Sequence, residues 1–333
     1  MTARVLVTGY GGFLGAAICR QLLQLGFAVR GLARSVYAEL QELGVEAVQG
    51  NVSSNECCQA ACKDCDAVIH TAAKAGVWGS WQEYYEINTA ATDRLLAAAT
   101  KAGVKAFVHT SSPSVTFGGQ HQSGVDETVQ YPTNWLCHYP HTKALAEQSV
   151  LAEASKGSIL ACALRPHLIW GLNDPHLFPR VVERTKSGRL RRVGSGTNLI
   201  DVAHVDNAAL SHVLAVQQLL AGNEQVNGQA FFITDGEPVE CWQWISRIIE
   251  TAGLKVPEKS ISFGAAYRIG AILETIYKLM SRKTEPPMTR FVAAQLALDH
   301  YFSIEKARRL LGYQPAVDID AEFHRCSSWL RSL

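Results

Sequence analysis

The beginning of the chain constrains its fold most, because a glycine loop lies there between a predicted strand and a predicted helix. The run Arg4–Thr8 is rich in aliphatic residues, and Phe13–Leu25 carries apolar residues at helical spacing. Between them, Gly9, Gly12 and Gly15 follow a GxxGxxG pattern. Glycines at this place allow a tight turn and a close approach of the backbone to a pyrophosphate, which the helix N-terminus then binds. The sequence therefore predicts a dinucleotide site in the first strand–helix unit.

Strand-like and helix-like segments alternate through the first half of the chain. Further strands are predicted over Ala28–Ala33, Val45–Val48, Ala67–His70, Ala106–Thr110 and Ser158–Leu164, and a helix over Asn88–Ala102. Strands separated by helices require crossover connections, so the pattern predicts an α/β fold with a Rossmann-type, doubly wound parallel sheet. The alternation weakens after Gly171. We expect residues 1–171 and about 201–235 to form the nucleotide-binding domain, and residues 172–200 and about 236–333 to form a smaller C-terminal substrate lobe.

The bulk composition excludes several classes of protein. Among 333 residues, 47% are apolar, and 31 Lys and Arg balance 30 Asp and Glu without a basic block. A globular chain is expected, and nucleic acid is not an expected partner, because binding it requires a basic face. The start of the chain lacks a signal-peptide pattern, and no apolar run reaches the ~18 residues of a membrane span. We expect a soluble, cytoplasmic protein.

The cysteines raise the alternative of a metal site, since four of the nine lie between positions 57 and 65. The local pattern favours a helix that begins near Ser53–Glu56 and buries Cys58 and Cys62 on one face. Structural zinc sites pair two short knuckles, and no second knuckle or nearby His pair follows. The sequence therefore predicts no metal and favours reduced thiols over disulfides.

Tyr139 and Lys143 form a candidate catalytic pair, because a spacing of four residues places both side chains on one face of a helix. A tyrosine with an ordinary pKa of about 10 is a poor acid–base catalyst at neutral pH. We expect the Lys143 ammonium and an oxidised nicotinamide to lower the pKa of the phenol. Because such spacings are common by chance, an exposed helix face is the alternative. Thr110, Ser111 and Ser112 favour catalysis, since hydroxyls at a strand's carboxyl end face the ligand crevice and can bind a carbonyl oxygen.

The end of the second predicted strand indicates which dinucleotide binds. An Asp or Glu there holds the ribose 2′-hydroxyl of NAD(H), whereas an Arg accommodates the 2′-phosphate of NADP(H). This chain has Arg34 and Ser35 at that point and no acid. Arg34 can pair with a phosphate through charge-assisted hydrogen bonds, although a solvated surface charge is the alternative. The sequence favours NADP(H) over NAD(H).

Together these residues resemble the extended short-chain dehydrogenase/reductase family over essentially the whole chain. The family patterns TGxxGxxG and YxxxK are met by Thr8–Gly15 and by Tyr139–Lys143. The resemblance assigns the catalytic serine to Ser112, with Ser111 as the near alternative. It implies an oxidoreductase in which Tyr139 exchanges a proton with the substrate oxygen.

The resemblance also implies further cofactor contacts. Gly50–Val52 matches a segment that contacts adenine, except that Asn51 replaces an Asp; His70–Ala73 matches a turn beside the cofactor, and Leu164–His167 a strand end at the nicotinamide pocket. The expected cofactor-binding residues are Gly9, Gly12, Phe13, Leu14, Gly15, Arg34, Ser35, Asn51, Val52, Ala72, Ala73, Thr110, Ser111, Tyr139, Lys143, Pro166, His167 and Leu168.

Within that family the chain is most similar to the 3β-hydroxysteroid dehydrogenase-like branch, and there to bacterial 2-alkyl-3-oxoalkanoate reductases of olefin biosynthesis. The matching segments are Ala72–Ser80, Thr110–Val115, Leu164–Gly171, Gly188–Gly194, Ile261–Phe263 and Ala266–Ala271. This likeness implies an NADP(H)-dependent interconversion of a 3-keto and a 3-hydroxy group on a large apolar substrate. The implied reaction converts a 2-alkyl-3-oxoalkanoate to a 2-alkyl-3-hydroxyalkanoate. A homodimer is a further expectation from the family.

Three alternatives share these motifs: a 3β-hydroxysteroid or sterol dehydrogenase, a sugar-nucleotide epimerase or dehydratase, and a non-catalytic NADP-binding protein. Many sugar-nucleotide enzymes of this fold carry an Arg directly before an Asp to grip the substrate diphosphate. Here Ile200 precedes Asp201, and an aliphatic residue suits a hydrocarbon instead. The intact Tyr139, Lys143 and Ser112 weigh against the non-catalytic alternative.

Aromatic residues and one helix are expected around the substrate. Trp78, Trp81, Trp170 and Phe178 are candidates for an apolar pocket wall, although aromatic residues are more often core. The segment Phe263–Lys283 combines an apolar face with basic residues. It is interpreted either as a helix that covers the substrate lobe or as an amphipathic helix that contacts lipid or a partner enzyme. The second interpretation includes peripheral association with a membrane.

Overall fold

A seven-stranded sheet forms the centre of the protein in the computed structural model, which describes residues 2–333. The strands of the chain are β1 (Arg4–Thr8), β2 (Ala28–Ala33), β3 (Glu46–Gln49), β4 (Ala67–His70), β5 (Ala106–Thr110), β6 (Gln122–Val125), β7 (Leu160–Pro166), β8 (Ile169–Trp170), β9 (Arg192–Val193), β10 (Leu199–Ile200), β11 (Ala203–His204), β12 (Ala230–Ile233), β13 (Val239–Glu240), β14 (Ser260–Ile261) and β15 (His300–Phe302). The central sheet has the order β12-β7-β5-β4-β1-β2-β3, and all neighbouring pairs are parallel. This arrangement confirms the predicted doubly wound sheet.

The order of the strands reverses at β1. From β1 the chain first builds one side of the sheet through β2 and β3, and then the other side through β4 and β5. In such sheets a ligand binds outside the carboxyl ends of the strands at the reversal point. The glycine loop follows β1 directly, so the fold places it at this point.

Helices cover both faces of the sheet. The helices are α1 (Phe13–Gln24), α2 (Ala38–Glu42), α3 (Asn55–Cys62), α4 (Trp81–Tyr84), α5 (Ala91–Lys101), α6 (His138–Ala154), α7 (Leu177–Lys186), α8 (Val205–Leu220), α9 (Cys241–Thr251), α10 (Phe263–Leu279), α11 (Arg290–Ala297), α12 (Glu305–Leu311) and α13 (Ile319–Ser332). Side chains of β1 alternate between the two cores: Val5 and Val7 pack with α1 and α8, whereas Leu6 packs with α3 and α5. Burial on both faces explains why the strands are almost continuously apolar.

The helix predicted over Asn88–Ala102 begins earlier than expected. α4 starts at Trp81, a π-helical turn covers Tyr85–Ala90, and α5 continues to Lys101. The side chain of Ser80 caps α4 by accepting from the backbone N–H of Glu83 at 3.3 Å. The extra residue of a π turn shifts the buried face along the helix, so a search for one constant period misses the first two turns.

A third apolar core forms the C-terminal lobe. Trp170 and Phe178 are fully buried there, and the ring of Phe323 lies 5.2 Å from Trp170 and 5.8 Å from Phe178. Ile200 belongs to the same core. The expectation that Trp170 and Phe178 line a substrate pocket is therefore wrong, and Ile200 packs against protein rather than facing a hydrocarbon substrate.

The predicted division of the chain assigns residues 236–333 entirely to the substrate lobe. The structure differs at α12, because Ala307 and Leu311 join the core between the sheet, α1 and α8. Tyr313 also belongs to that core, and its hydroxyl donates to the carbonyl of Thr234 at 3.0 Å. The chain thus returns to the nucleotide-binding sheet once more before α13.

The clustered cysteines lie on and just after a helix, as predicted. The hydroxyl of Ser54 caps α3 by accepting from the N–H of Cys57 at 3.2 Å, and Cys58 and Cys62 are fully buried. Burial raises the pKa of the Cys58 thiol to about 11 and that of Cys62 to about 12, so both are apolar, protonated groups. In residues 2–333, no helix has the length and apolar character to cross a bilayer.

Candidate active site

The glycine loop has the shape of an anion cradle. Gly9 has a φ of +67°, and a Cβ on Gly15 would lie 2.3 Å from the carbonyl oxygen of Gly9. α1 has Gly12 as its N-cap, so no side chain caps it, and its first turn contains no acid. The N-terminal backbone N–H groups of α1, including those of Phe13 and Leu14, are therefore available to an anion. The loop fits the pyrophosphate of a dinucleotide.

Buried hydrogen bonds hold the end of β4 against this loop. The His70 ring bonds through Nδ1 to Thr8 Oγ1 at 2.7 Å and through Nε2 to Thr92 Oγ1 at 3.0 Å. Burial lowers the pKa of His70 to about 3, so the ring is neutral. The N–H of Ala72 donates to Thr8 Oγ1 at 3.3 Å. Ala72 is thus fixed beside the loop, as predicted, and Ala73 follows it at the surface.

The end of β2 is open to solvent. Arg34 and Ser35 are both exposed there, and within residues 2–333 no carboxylate forms an ion pair with the Arg34 guanidinium. The ring of Tyr37 covers the glycine loop, since a Cβ on Gly11 would lie 1.9 Å from it. The N–H of Tyr37 donates to the hydroxyl of Tyr10 at 3.2 Å, which anchors the segment that carries Arg34.

α6 presents Tyr139 and Lys143 one turn apart beside the carboxyl end of β5. The Lys143 ammonium donates to the carbonyl oxygen of Thr110 at 2.5 Å and lies 3.2 Å from Nε2 of His109. Burial lowers the pKa of Lys143 to about 7, although the charge of Glu147 raises it. Burial and the charge of Lys143 hold the pKa of His109 well below its ordinary value, so that ring is a neutral acceptor.

The Tyr139 phenol is a protonated donor in this structure. Burial raises its pKa, and a hydrogen bond with Ser112 lowers it by less. Lys143 does not act on this pKa in the present conformation, because its ammonium is bonded to Thr110 and His109. That Lys143 and an oxidised nicotinamide together lower it stays a prediction. Tyr139 is therefore prepared to give a proton to a substrate oxygen.

The three hydroxyl residues after β5 have different surroundings. Thr110 Oγ1 bonds to Nε2 of His212 at 2.8 Å, and Ser111 is buried with 4% exposure. Ser112 is partly exposed, and its hydroxyl bonds to that of Ser114 at 2.9 Å. The hydroxyl of Ser112 also lowers the pKa of the Tyr139 phenol. The geometry favours Ser112 over Ser111 as the group that binds a carbonyl oxygen.

A cavity of about 980 Å³ lies against the N-terminal end of α6. Cys137, His138 and His141 belong to its wall and surround Tyr139 in the chain. Burial lowers the pKa values of both histidines, so their neutral forms are favoured at neutral pH. The volume is at the upper end of the range for small-molecule sites, which suits a large substrate.

Aromatic rings form much of the cavity wall. Trp78, Trp81 and Trp135 line it, and the Trp135 ring is stacked on His141 with centroids 5.1 Å apart. Tyr277 of α10 closes the opposite side, in edge contact with Trp78. Trp78 and Trp81 thus lie in this wall together with charged residues such as Lys74 and Lys278. That the cavity receives the substrate stays a prediction.

Comparison with known proteins identifies the family. The model of the 3-beta hydroxysteroid dehydrogenase/isomerase family matches residues 6–263. The chain belongs to this family. The 2-alkyl-3-oxoalkanoate reductase of Stenotrophomonas maltophilia is 44% identical over 97% of this chain and 98% of its own length. That of Shewanella oneidensis is 42% identical over 98% of this chain and 86% of its own length.

More distant members of the family and solved structures agree with this assignment. The 3 beta-hydroxysteroid dehydrogenase/Delta 5-->4-isomerase of Mycobacterium tuberculosis is 35% identical over 99% of this chain and 91% of its own length. The structure of MoeE5 in complex with UDP-glucuronic acid and NAD is 25% identical, with a TM-score of 0.74 over 99% of this chain and 100% of that one. The relatives' names confirm the predicted resemblance and the predicted oxidoreductase class. NAD in MoeE5 agrees with the predicted nicotinamide dinucleotide site.

One buried ion pair behind α6 was not predicted from the sequence. Glu147 lies one turn after Lys143, and its carboxylate accepts three hydrogen bonds from Arg165, at 3.2, 3.0 and 2.5 Å. The hydroxyl of Tyr131 donates to the same carboxylate at 2.6 Å. Burial alone would raise the pKa of Glu147, but Arg165 and the hydrogen bonds hold it below its ordinary value. A fixed negative charge therefore lies behind Lys143.

Asn88 is a second residue that sequence reasoning missed. Its side chain accepts from the N–H of Lys74 at 2.7 Å and donates to the carbonyl of Lys74 and to Oγ1 of Thr142. Asn88 lies in the π-helical turn, a feature that often marks functional sites. It joins the cavity segment around Lys74 to α6, one residue before Lys143.

The predicted contacts at the nicotinamide end divide into two kinds. Pro166 ends β7, and Leu168 has a strained φ of +41°, so their backbone shapes the crevice edge. The ring of His167 is buried against His300, with 2.6 Å between their nitrogens, and against Phe302. The N–H of His167 donates to the carbonyl of Ile233 at 3.1 Å, so only its backbone carbonyl is free to contact a cofactor.

The predicted adenine segment is similarly divided. Asn51 is exposed, and its side chain accepts from the N–H of Ser53 at 3.0 Å. The side chain of Val52 packs into the core with Leu32. The side chain of Asn51 remains a candidate for the adenine contact, whereas Val52 could make such a contact only through its backbone.

Proposed function

We propose that this chain is an NADP(H)-dependent reductase that interconverts a 3-keto and a 3-hydroxy group on a large apolar substrate, with a 2-alkyl-3-oxoalkanoate as the keto form. The observation that carries the proposal is the placement of Tyr139 and Lys143 one turn apart on α6, where the Lys143 ammonium donates to the Thr110 carbonyl at 2.5 Å at the end of β5. This pair lies beside a cavity of about 980 Å³ that Trp78, Trp81 and Trp135 help to line. Two relatives named 2-alkyl-3-oxoalkanoate reductase, 42% and 44% identical, support the substrate class.

The residues at the site have distinct roles in the proposed reduction. Ser112 donates a hydrogen bond to the substrate carbonyl oxygen and fixes its position. The bound nicotinamide supplies the hydride that reduces the carbonyl carbon. Tyr139 holds a proton on its hydroxyl and transfers it to the oxygen as negative charge develops there. In the oxidising direction Tyr139 accepts that proton, and the Lys143 ammonium stabilises the resulting negative charge.

The dinucleotide would be held by the glycine loop, by the N-terminus of α1 and by the end of β2. The exposed Arg34 and Ser35 support NADP(H), since a guanidinium without a carboxylate partner in residues 2–333 is available to a 2′-phosphate. No acid stands at this point to hold the 2′-hydroxyl of NAD(H).

Turnover with a panel of substrates tests the proposal. NADPH oxidation is followed with 2-alkyl-3-oxoalkanoates, 3-ketosteroids and UDP-sugars. We expect the highest kcat/KM for the branched oxoalkanoates. A steroid or sterol is the second candidate, favoured by the relative from Mycobacterium tuberculosis at 35% identity, and highest turnover of a steroid would establish it instead. Turnover of UDP-sugars alone would overturn both.

The variant Tyr139→Phe tests the proton donor. Removal of the hydroxyl should lower kcat by about 10²–10⁴-fold, because proton transfer to the substrate oxygen is lost. Binding of NADPH, measured by its fluorescence, should persist. Tyr301→Phe on β15 is the matched control and should keep full activity, since Tyr301 is distant from α6 in the fold. Equal activity of both variants would remove Tyr139 from the mechanism.

The variant Arg34→Ala tests the choice of cofactor. Loss of charge-assisted hydrogen bonds to a 2′-phosphate should raise KM for NADPH about 10–100-fold and leave KM for NADH nearly unchanged. Arg191→Ala, another exposed arginine, is the control and should change neither value. Parallel changes for the two cofactors in Arg34→Ala would show that this residue does not recognise the 2′-phosphate.

A further inference from the structure

Helix α10 exposes large apolar side chains. Ile269, Ile272, Ile276, Leu279 and Met280 have exposures of 43%, 59%, 42%, 81% and 56%. Their spacing of three and four residues aligns the first four on one stripe, and we call the five together the α10 apolar face. Isolated exposed apolar residues are ordinary, but a continuous stripe of them marks an interaction site.

The fully buried residues of the same helix are small or paired, and Phe263 and Tyr267 near its start pack partly against the core. Ala266, Gly270 and Glu274 are its buried positions. A Cβ on Gly270 would lie 2.7 Å from the backbone nitrogen of Arg290, so the start of α11 approaches α10 too closely for a larger side chain. An ordinary amphipathic helix buries its large apolar residues and exposes its polar ones. From Ile269 to Met280 this arrangement is largely reversed, and nothing within residues 2–333 covers the α10 apolar face.

The charges around this face are positive. Arg268, Lys278, Arg282 and Lys283 are all exposed along α10 and the residues that follow it. The single acid of Phe263–Lys283, Glu274, is buried in an ion pair with Arg290 at 2.7 Å. Basic residues that flank an exposed apolar stripe are complementary to a bilayer with anionic headgroups.

The face also borders the cavity. Tyr277, Lys278 and Arg282 belong to the cavity wall, and the indole N–H of Trp78 donates to the carbonyl of Arg282 at 3.0 Å. The C-terminal end of α10 is therefore shared between the cavity wall and the exposed face. An apolar substrate that is dissolved in lipid would meet the cavity next to this face.

We propose that the α10 apolar face docks on the surface of a bilayer that contains anionic phospholipid. The large side chains enter the boundary between headgroups and acyl chains, and the basic residues contact the headgroups. Docking rests on the exposed side chains and their charges, and it does not depend on which substrate the site reduces.

Sedimentation of the full chain with vesicles tests this proposal. The vesicles consist of phosphatidylcholine alone or of phosphatidylcholine with phosphatidylglycerol. We expect binding to the anionic vesicles and weaker binding at high salt, because salt screens the basic residues. The variant Ile272→Ser/Leu279→Ser should lower the vesicle partition coefficient about tenfold or more, since it removes two apolar anchors.

A matched control removes two exposed leucines from elsewhere on the surface. Leu25 and Leu43 are 55% and 51% exposed, so Leu25→Ser/Leu43→Ser deletes similar apolar area and should bind vesicles like the unmodified chain. The proposal is overturned if the unmodified chain does not sediment with anionic vesicles at low salt, or if Ile272→Ser/Leu279→Ser binds as well as the control. It is also overturned if that variant only converts a dimer to a monomer, because the face would then be a subunit interface.

Turnover of a short-chain, water-soluble oxoalkanoate without vesicles separates this proposal from the proposed function. Both double variants should keep that turnover, because none of the four positions belongs to the catalytic residues or to the cavity wall. Loss of vesicle binding in Ile272→Ser/Leu279→Ser with turnover intact supports the docking surface. Vesicle binding by a chain that reduces no oxoalkanoate would support docking and contradict only the proposed reaction.

Discussion

Lys143 is the buried cation of the candidate site, and its surroundings determine its charge at neutral pH. Burial lowers its pKa to about 7, and the carboxylate of Glu147 acts in the opposite direction. That carboxylate is itself fixed by Arg165 and Tyr131. We therefore expect Glu147 to act as a positioning residue that favours the ammonium form of Lys143.

The variant Glu147→Gln should move the alkaline limb of activity to lower pH. Without the negative charge, the ammonium form of Lys143 is less favoured, so the pKa of Lys143 falls below its present value of about 7. If the ammonium is needed for proton transfer by Tyr139, the fall in kcat/KM with rising pH should begin roughly one pH unit earlier. The pH profile of oxoalkanoate reduction measures this shift.

The control for this prediction separates charge from folding. Glu147→Gln leaves Arg165 buried without its partner, which destabilises a fold by about 3–5 kcal/mol. The double variant Glu147→Gln/Arg165→Met removes that unpaired charge and should recover much of the lost thermal stability. It should keep the shifted alkaline limb, since Glu147 is still absent. A limb that returns to its original position in the double variant would refute the role of Glu147.

Among the elements, α10 contains two glycines whose surroundings differ. A Cβ on Gly270 would lie 2.7 Å from backbone atoms of Thr289 and Arg290, whereas none of the surrounding atoms lies within 4 Å of one on Gly264. Gly270→Ala should therefore destabilise the protein by about 1–3 kcal/mol through overpacking. Gly264→Ala should stabilise it by about 0.5 kcal/mol through the lower entropy of the unfolded chain. Urea unfolding of the two variants measures both signs, and equal effects would contradict the close helix contact.

The elements also show how far the sequence predicts this structure. The bounds of β1, β2, β4 and β5 agree with the predicted ones, because central strands of a parallel sheet are short apolar runs between turns. α10 was predicted as a helix, but its exposed side was not determined by its own pattern. The small residues of its inner side face Thr289–Arg290, a contact that lies outside any local window.

The candidate site likewise contains some residues that the sequence predicts and others that it does not. The glycine loop and Tyr139–Lys143 have fixed local spacings, so the sequence predicts them. Glu147 and Arg165 are 18 residues apart, and Asn88 and Thr142 are 54 apart. Single polar residues of this kind acquire partners only when the sheet and α6 assemble. The prediction for Trp170 fails for a related reason. The sequence shows an aromatic residue there, but not whether it lines a pocket or packs in the core of the C-terminal lobe.

At the scale of the whole molecule, buried neutral histidines lie beneath the sheet edge and where the two lobes meet. Burial lowers the pKa of His70 to about 3 and those of His212 and His300 to about 4. His167 and His300 connect the end of β7 to β15 in the other lobe. Burial also holds the pKa values of His109 and His167 well below their ordinary range.

The homodimer expected from the family stays a prediction.

These histidines predict that the fold is lost in mild acid. Each has a lower pKa folded than unfolded, so below pH ~6.5 the unfolded chain binds more protons, and stability falls until pH ~4. His70, His212 and His300 each lower the free energy of unfolding by roughly 3 kcal/mol as the pH falls across that range. Their sum approaches the total stability of a typical protein. Buried carboxylates act oppositely: the pKa of Asp201 is raised to about 7 by burial, so its contribution grows as pH falls from 7 to about 4. Burial also raises the pKa values of Glu127, Asp174 and Asp235. Five buried histidines with lowered pKa values outnumber these four carboxylates, and we expect cooperative unfolding between pH 6 and 4.

The slope of stability against pH tests this balance without depending on the absolute stability of a variant. Each proton that the unfolded chain binds in excess contributes about 1.4 kcal/mol per pH unit. His212→Gln should therefore reduce the slope of the unfolding free energy near pH 5 by about that amount, whatever it costs at neutral pH. His324→Gln, at an exposed position of α13, should leave the slope unchanged. If His212→Gln keeps the original slope, His212 is not neutral in the folded chain, and the acid sensitivity has another origin.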